Sequence, residues 1–90
     1  MANGYLGTNK VEISVQNQEI VPPKKEKWTL GYHLYKFSFL NHQNCLVVVN
    51  QETEIYLEAG QGFEIDRYDK PITSFIIKNA DIPFTWVGAF

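Results

Sequence analysis

Large apolar side chains occupy alternate positions through most of this chain, and this spacing limits the possible folds more than any other feature of the sequence. The clearest instance is the stretch 84–90, in which Phe84, Trp86 and Phe90 fall on one side of an extended chain, with Gly88 between them. Because successive side chains of a strand point to opposite faces, this stretch predicts a strand with one buried face. We therefore expect the C-terminal stretch to be a structural element of an all-β protein.

The same alternation recurs in short runs separated by polar or glycine-containing segments. Val11, Ile13 and Val15 alternate with polar residues and predict a half-buried first strand. Further strands are predicted in the runs 28–32, 35–39, 46–49, 55–57, 63–66 and 72–78. Their spacing of about 8–12 residues is typical of a sandwich or barrel. The sequence predicts an antiparallel β-sandwich of jelly-roll type, with seven or eight short strands and little or no helix. An immunoglobulin-like sandwich and a small barrel remain alternatives, because the sequence does not determine the strand order.

Three local features refine this prediction. The alternation changes phase near residues 33–34, which indicates a bulge or corner near Gly31. The run 46–49 is apolar on both faces, so we expect it to be the most central strand. The glycine-containing segment 59–62 is short enough to be a tight turn, and it predicts a hairpin between the strands on either side.

The length and composition allow one folded domain. The chain has 90 residues, of which 44% are hydrophobic and 20% are charged, and this is well outside the range of disordered chains. Residues 1–9 contain two glycines around Tyr5 and Leu6 and predict an extended N-terminal arm, followed by a single sandwich domain over 10–90. Since two apolar residues on an arm favour docking onto another protein, Tyr5 and Leu6 are the expected partner contacts.

The charge balance argues against nucleic acid as a partner. Eight Lys and Arg residues stand against ten Asp and Glu, and only one of the eight is Arg, so no basic surface is expected. The longest apolar run is five residues, which is too short for a membrane span, and the first residues have no signal-peptide pattern. We therefore expect no membrane contact and synthesis in the cytoplasm.

No residue pattern predicts catalysis, a cofactor or a metal site. Cys45 is the sole cysteine and lies in an apolar run, which predicts a buried, unreactive thiol and excludes an intrachain disulfide. His33 and His42 match no metal-ligand spacing. Glu64 and Asp66 share one face of a predicted strand, as a glycosidase acid pair would, but polar residues at alternate positions are typical of any solvated face.

Four stretches of the chain carry a resemblance to known proteins. They are 35–39 (YKFSF), 55–63 (IYLEAGQGF), 71–77 (PITSFII) and 84–90 (FTWVGAF). These stretches are similar to small all-β accessory proteins encoded among tailed-phage structural genes. The segment 57–63 is also similar to the mid-barrel turn of cupin-type jelly rolls, although the histidine-rich metal motif of catalytic cupins is missing.

The phage resemblance implies a non-enzymatic virion protein, such as a capsid decoration, a head auxiliary protein or a tail component. Its partners would be a capsid or tail protein and further copies of itself in a homo-oligomer. One alternative is a carbohydrate-binding module for host-surface adhesion, in which exposed Tyr32, Tyr56 or Tyr68 would stack on a glycan. Another is a small phage-encoded inhibitor that binds a host protein through the acidic loop 66–69.

Overall fold

The chain is an all-β sandwich. The computed structural model describes residues 4–24, 27–29, 31–66 and 68–90, and these ranges contain no helix. Nine strands lie in them: β1 (Tyr5–Gly7), β2 (Glu12–Ile13), β3 (Gln18–Glu19), β4 (Lys36–Asn41), β5 (Cys45–Val49), β6 (Thr53–Leu57), β7 (Phe63–Ile65), β8 (Phe75–Ile77) and β9 (Pro83–Ala89). The predicted fold class is confirmed, with more strands than the seven or eight expected.

The strand order is that of a jelly roll. One sheet has five strands in the order β1-β9-β4-β7, with β2 beside β1 on the same edge of β9, and the other has the order β3-β8-β5-β6. From β2 to β9 the chain changes sheet at every step except the β5–β6 hairpin. Eight strands in two facing sheets of four make a jelly roll, and β1 is an additional edge strand.

An aromatic core fills the space between the two sheets. Phe37 and Phe39 on β4 both contact Phe75 on β8 across the sandwich, with ring centroids 4.8 and 4.7 Å apart. Phe84 and Trp86 of β9 are buried on the same inner face. The predicted buried C-terminal strand is therefore confirmed, and its apolar face supplies a large part of the core.

The predicted change of phase occurs at Tyr35, just after the expected position. The backbone of Leu34 exchanges two hydrogen bonds with Ile72, at 2.9 and 3.0 Å, whereas the Tyr35 N–H donates to Ala89 of β9 at 2.8 Å. The chain thus changes its hydrogen-bonding partner between these two residues. As a consequence Tyr35 is exposed, while Leu34 before it and Phe37 after it are buried. The strand predicted over 28–32 is not formed at residues 28–29 and 31–32, so that prediction is wrong there, and Leu30 lies outside the described residues.

Of the expected half-buried strand at 11–15, the structure forms β2 (Glu12–Ile13), and both of its residues are exposed. Val11, Ile13 and Val15 are 50%, 56% and 63% exposed, whereas Ser14 between them is 2% exposed. The Ser14 hydroxyl donates to the carbonyl of Asn79 at 2.7 Å and accepts from the N–H of Ile82 at 3.0 Å. Because these two bonds hold Ser14 inside, the three aliphatic side chains point outward, and the prediction that they are half-buried is wrong.

The expected hairpin at 59–62 is also wrong. β6 pairs with β5 and β7 pairs with β4, so the segment between β6 and β7 crosses from one sheet to the other. Buried Asn41 holds this crossing in place. Its Nδ2 donates to the carbonyls of Gln43 and Glu58, both at 2.8 Å, and its Oδ1 accepts from the N–H of Gly62 at 2.9 Å. β5 is an inner strand of its sheet, as expected.

Candidate interaction surface

The outer face of the five-stranded sheet exposes large apolar side chains. Val87 on β9 is 51% exposed, Leu40 on β4 is 39% exposed, and Tyr5 on β1 is 78% exposed. A shallow depression of about 240 Å³ lies beside Leu40 and Val87, with Thr8, Ser38 and Thr85 also in its wall. A sheet face that was fully adapted to water would carry polar residues at such positions. This face is therefore open to an apolar partner.

The exposed side chains of Val11, Ile13 and Val15 continue this apolar area to the sheet edge; we call them the β2 ridge. Ile13 lies opposite Pro83 in the ladder between β2 and β9. Opposed residues of an antiparallel pair point to the same face, and Pro83 shares its face with Val87 four residues later. The β2 ridge and the outer-face residues Tyr5, Leu40 and Val87 thus form one surface, which we call the apolar surface.

The opposite sheet covers its outer face differently. Lys78 and Glu54 form an ion pair of 3.3 Å. Lys78 donates its N–H to Leu46, and Glu54 lies opposite Val48, so the ion pair crosses the outer face of β5. Leu46 and Val48 beneath it are half-buried, although Tyr56 beside them is exposed. The ion pair thus covers part of the apolar outer face of the four-stranded sheet. On the outer face of the five-stranded sheet, Tyr5, Leu40 and Val87 are all exposed.

The described part of the predicted N-terminal arm lies along β9. The backbones of Gly4 and Phe90 exchange hydrogen bonds at 3.2 and 3.1 Å. The hydroxyl of Thr8 accepts from the N–H of Trp86 at 3.1 Å. Residues 4–8 are therefore paired with the sheet, and the first three residues of the arm lie outside the described ranges. The boundary between an arm over 1–9 and a domain over 10–90 stays a prediction.

The predicted partner contacts are dispersed over the molecule. Tyr5 lies on the apolar surface, and its neighbour Leu6 is half-buried and packs against the core. Tyr56 lies on the outer face of the other sheet, and Tyr68 lies in the loop before β8, where it is 81% exposed. Sequence reasoning placed Tyr5 correctly at an exposed position, but it missed the β2 ridge, which it assigned to the core.

Tyr32 cannot stack on a ligand, and the expectation that it is exposed is wrong. Its ring is 7% exposed and packs edge-on against Trp28 and Phe90, with centroids 4.9 and 4.8 Å away. These three rings close one end of the sandwich beside the core. Aromatic pairs in this geometry stabilise a fold beyond the area that they bury. The role of Tyr32 is therefore structural.

The titratable side chains named from the sequence do not assemble into a reactive group. Cys45 is buried, as predicted, and burial raises the pKa of its thiol, which keeps it in the unreactive protonated form. His33 and His42 are exposed. Glu64 is exposed on β7, and Asp66 accepts the Tyr68 N–H at 2.9 Å. Within the described ranges, no three His, Cys, Asp or Glu side chains converge as metal ligands would.

The acidic loop 66–69 is a turn held by its own carboxylates. Asp69 accepts the N–H of Asp66 at 3.0 Å, and the N–H of Asp69 donates to the carbonyl of Asp66 at 3.0 Å. Arg67 of this loop lies outside the described residues. Beside the loop is an open cleft of about 380 Å³ with Phe63 and Ile65 in its wall. The two carboxylates are therefore engaged in local structure.

Comparisons of the chain with protein-family models, with curated protein sequences and with solved structures give no match. Across the part of the chain that the structure describes, there is no helix with the length and hydropathy needed to cross a membrane.

Proposed function

We propose that this chain is a non-enzymatic accessory protein of a phage particle, a capsid decoration, head auxiliary protein or tail component, that acts through protein–protein contacts. The observation that supports this proposal is the apolar surface. Tyr5, Leu40, Val87 and the three residues of the β2 ridge are all more than a third exposed on one sheet and its edge. Exposed apolar side chains that cluster on one face of a protein commonly mark interaction sites.

The chemistry of the apolar surface favours a protein as partner. Five of its six side chains are aliphatic, and Tyr5 is the one aromatic member. Sugar sites combine aromatic faces with convergent polar groups, because a sugar ring offers hydroxyls as well as C–H bonds. Aliphatic side chains on a sheet supply buried area without hydrogen bonds, which suits another protein's apolar side chains.

The jelly-roll fold is compatible with this proposal but does not distinguish it from other functions. Jelly rolls occur in viral capsid proteins, in lectins and in cupins, so the topology is shared by proteins with unrelated functions. The phage assignment comes from the resemblance of the four sequence stretches, and the mode of action comes from the apolar surface.

Quantitative mass spectrometry of purified particles tests the proposal. We expect the chain at a fixed copy number relative to the major coat protein. Val87→Lys should reduce that copy number at least tenfold, because a charge would have to be desolvated in the contact. Tyr56→Lys is the matched control, since Tyr56 is equally exposed, at 51%, on the other sheet. Absence of the chain from particles, or equal incorporation of both variants, would contradict the proposal.

Exposed tyrosines support carbohydrate binding as a second candidate. Tyr56 and Tyr68 both present their side chains to solvent. A glycan array with the wild-type chain tests this function, and saturable binding that is lost in Tyr56→Ala or Tyr68→Ala would establish it. If the wild-type chain binds no glycan on the array, carbohydrate binding is contradicted as a function.

A further inference from the structure

We propose that β2 pairs with β2 of a second copy of this chain, antiparallel about a two-fold axis at Ile13. This inference rests on the proposed function and deepens it, because it names the partner of the β2 ridge. The pairing would join two five-stranded sheets into one continuous sheet. It would also leave the outer-face residues Tyr5, Leu40 and Val87 free for a different protein.

The hydrogen-bonding direction along the edge supports this pairing. The backbone of Ser14 bonds inward, since its N–H donates to Ile82 at 3.0 Å and its carbonyl accepts from Asp81 at 2.8 Å. In an antiparallel ladder the next residue directs its N–H and carbonyl to the other side. The main-chain groups of Ile13 therefore point away from β9, toward an edge that no strand among the described residues covers. An edge of this kind is a template for another strand.

The next outward N–H is held by a side chain in the single copy. Gln18 Oε1 accepts the N–H of Val15 at 3.0 Å. In the proposed dimer the carbonyl of the partner's Val11 would take over this role. The exchange replaces one hydrogen bond with another, so it leaves no donor unsatisfied.

The sequence of the ridge is symmetric about its centre. Val11, Ile13 and Val15 alternate with Glu12 and Ser14, so the apolar pattern is the same in both chain directions. Pairing about Ile13 places Ile13 opposite the partner's Ile13 and Val11 opposite the partner's Val15. Cross-strand pairs of β-branched residues stabilise a sheet. The three apolar side chains would form one row with the three of the second copy.

The charges of the strand are compatible with the same register. Glu12 would lie opposite the partner's Ser14, and Lys10 would lie opposite the partner's Gln16. No charge lies directly opposite a like charge, which would destabilise the pair, and Glu12 is only diagonal to the partner's Glu12. A two-fold interface requires a surface that is complementary to itself, and this segment meets that requirement.

The proposed contact is small, so we expect weak association. Five residues on each side bury far less than the roughly 800 Å² per partner of a standard protein interface. The dimer should therefore form at high protein concentration. It would be reinforced where copies are held near one another in a larger assembly, since a tethered second contact becomes effectively intramolecular.

Disulfide cross-linking tests the register directly. Opposed residues of a hydrogen-bonded pair have Cα atoms about 5.5 Å apart, which a disulfide can bridge. In the full chain, Ile13→Cys should form a covalent dimer under mild oxidation with oxidised glutathione, at least tenfold faster than Val87→Cys. Val87 is exposed to a similar degree, at 51%, but lies off the axis. Equal rates for the two variants would overturn the proposal, because random collisions would then account for both.

Sedimentation of the unmodified chain provides the second test. The weight-average mass should rise toward that of a dimer as the concentration increases, and Ile13→Lys should keep the monomer mass because it opposes two lysines at the axis. Circular dichroism should show the same folded spectrum for both proteins, since Ile13 is exposed. A wild-type chain that stays monomeric, or a dimer that persists in Ile13→Lys, would overturn the pairing. Either result leaves the proposed function standing if the chain is still found in particles, whereas absence from particles contradicts that function whatever the mass.

Discussion

Ser14 determines which face of the first predicted strand turns inward. Its hydroxyl gives one hydrogen bond to Asn79 and receives one from Ile82, and its side chain is almost completely buried. With the strand turned over, the N–H of Ile82 and the carbonyl of Asn79 would lose this hydroxyl as their partner, which is costly for buried groups. The inward position of Ser14 is therefore stabilised by two hydrogen bonds, and the alternate residues of the β2 ridge face outward.

Substitutions of buried Ser14 and exposed Ile13 should differ in their effect on the free energy of unfolding. We expect Ser14→Ala to lower the free energy of unfolding by about 1–3 kcal/mol, because it leaves a buried N–H without its acceptor. Ile13→Ser should change it by less than about 0.5 kcal/mol, since an exposed side chain contributes little to the fold. Urea denaturation of both variants at low protein concentration measures the difference. The reverse order of stability would contradict the orientation of this strand.

The sequence predicted single residues well where burial follows from local pattern. Phe84, Trp86 and Cys45 lie in apolar runs, and all three are buried. It failed for the residues around Ser14 because the groups that hold the serine are 65 and 68 positions away along the chain. An alternating segment specifies two faces, and the choice between them depends on such distant partners.

Among the elements, the crossing from β6 to β7 connects the two sheets. Gly62 in this crossing has a positive φ of 70°, and a Cβ at this position would lie 2.7 Å from the carbonyl oxygen of Phe39. Gly60 also has a positive φ, of 79°, but a Cβ there would meet no atom within 4 Å. The two glycines therefore share a backbone conformation and differ in their surroundings.

Alanine at these two glycines should separate backbone strain from steric overlap. Gly60→Ala should lower the free energy of unfolding by about 1–2 kcal/mol, the cost of the left-handed conformation for a residue with a Cβ. Gly62→Ala should cost about 1–3 kcal/mol more, because the backbone of β4 must move to relieve the overlap. Thermal or urea unfolding of both variants gives the comparison. Equal losses for the two variants would show that the close approach to Phe39 is absent in solution.

The crossing also shows why the expected hairpin could not be distinguished from the sequence. Glycines and polar residues between two strands are typical of a tight hairpin and equally of a connection between sheets. The deciding interaction is the side chain of Asn41, which bonds Glu58 and Gly62 from the end of β4. Asn41 follows an apolar run as the first of four polar residues, so no local pattern predicts its burial, which depends on tertiary contacts.

For the whole molecule, the spacing of the apolar runs was sufficient to predict an all-β sandwich but insufficient to give the strand order that makes it a jelly roll. The β1–β9 ladder pairs Tyr5 with Ala89, and the β4–β9 ladder pairs Lys36 with the same residue. Such pairings join distant parts of the chain, so no short window contains them. The unequal exposure of the two sheet faces likewise emerges from the complete topology, and it supports the proposed interaction surface.

Hydrogen exchange of the chain in purified particles, compared with the free chain, tests most directly whether the β2 ridge is an interface in the particle. We expect the amides of 11–15 to exchange at least about tenfold more slowly in the particle, a protection worth about 1.4 kcal/mol. The amides of β6 on the other sheet should be unchanged. Protection confined to β6, or no protection in 11–15, would contradict the account.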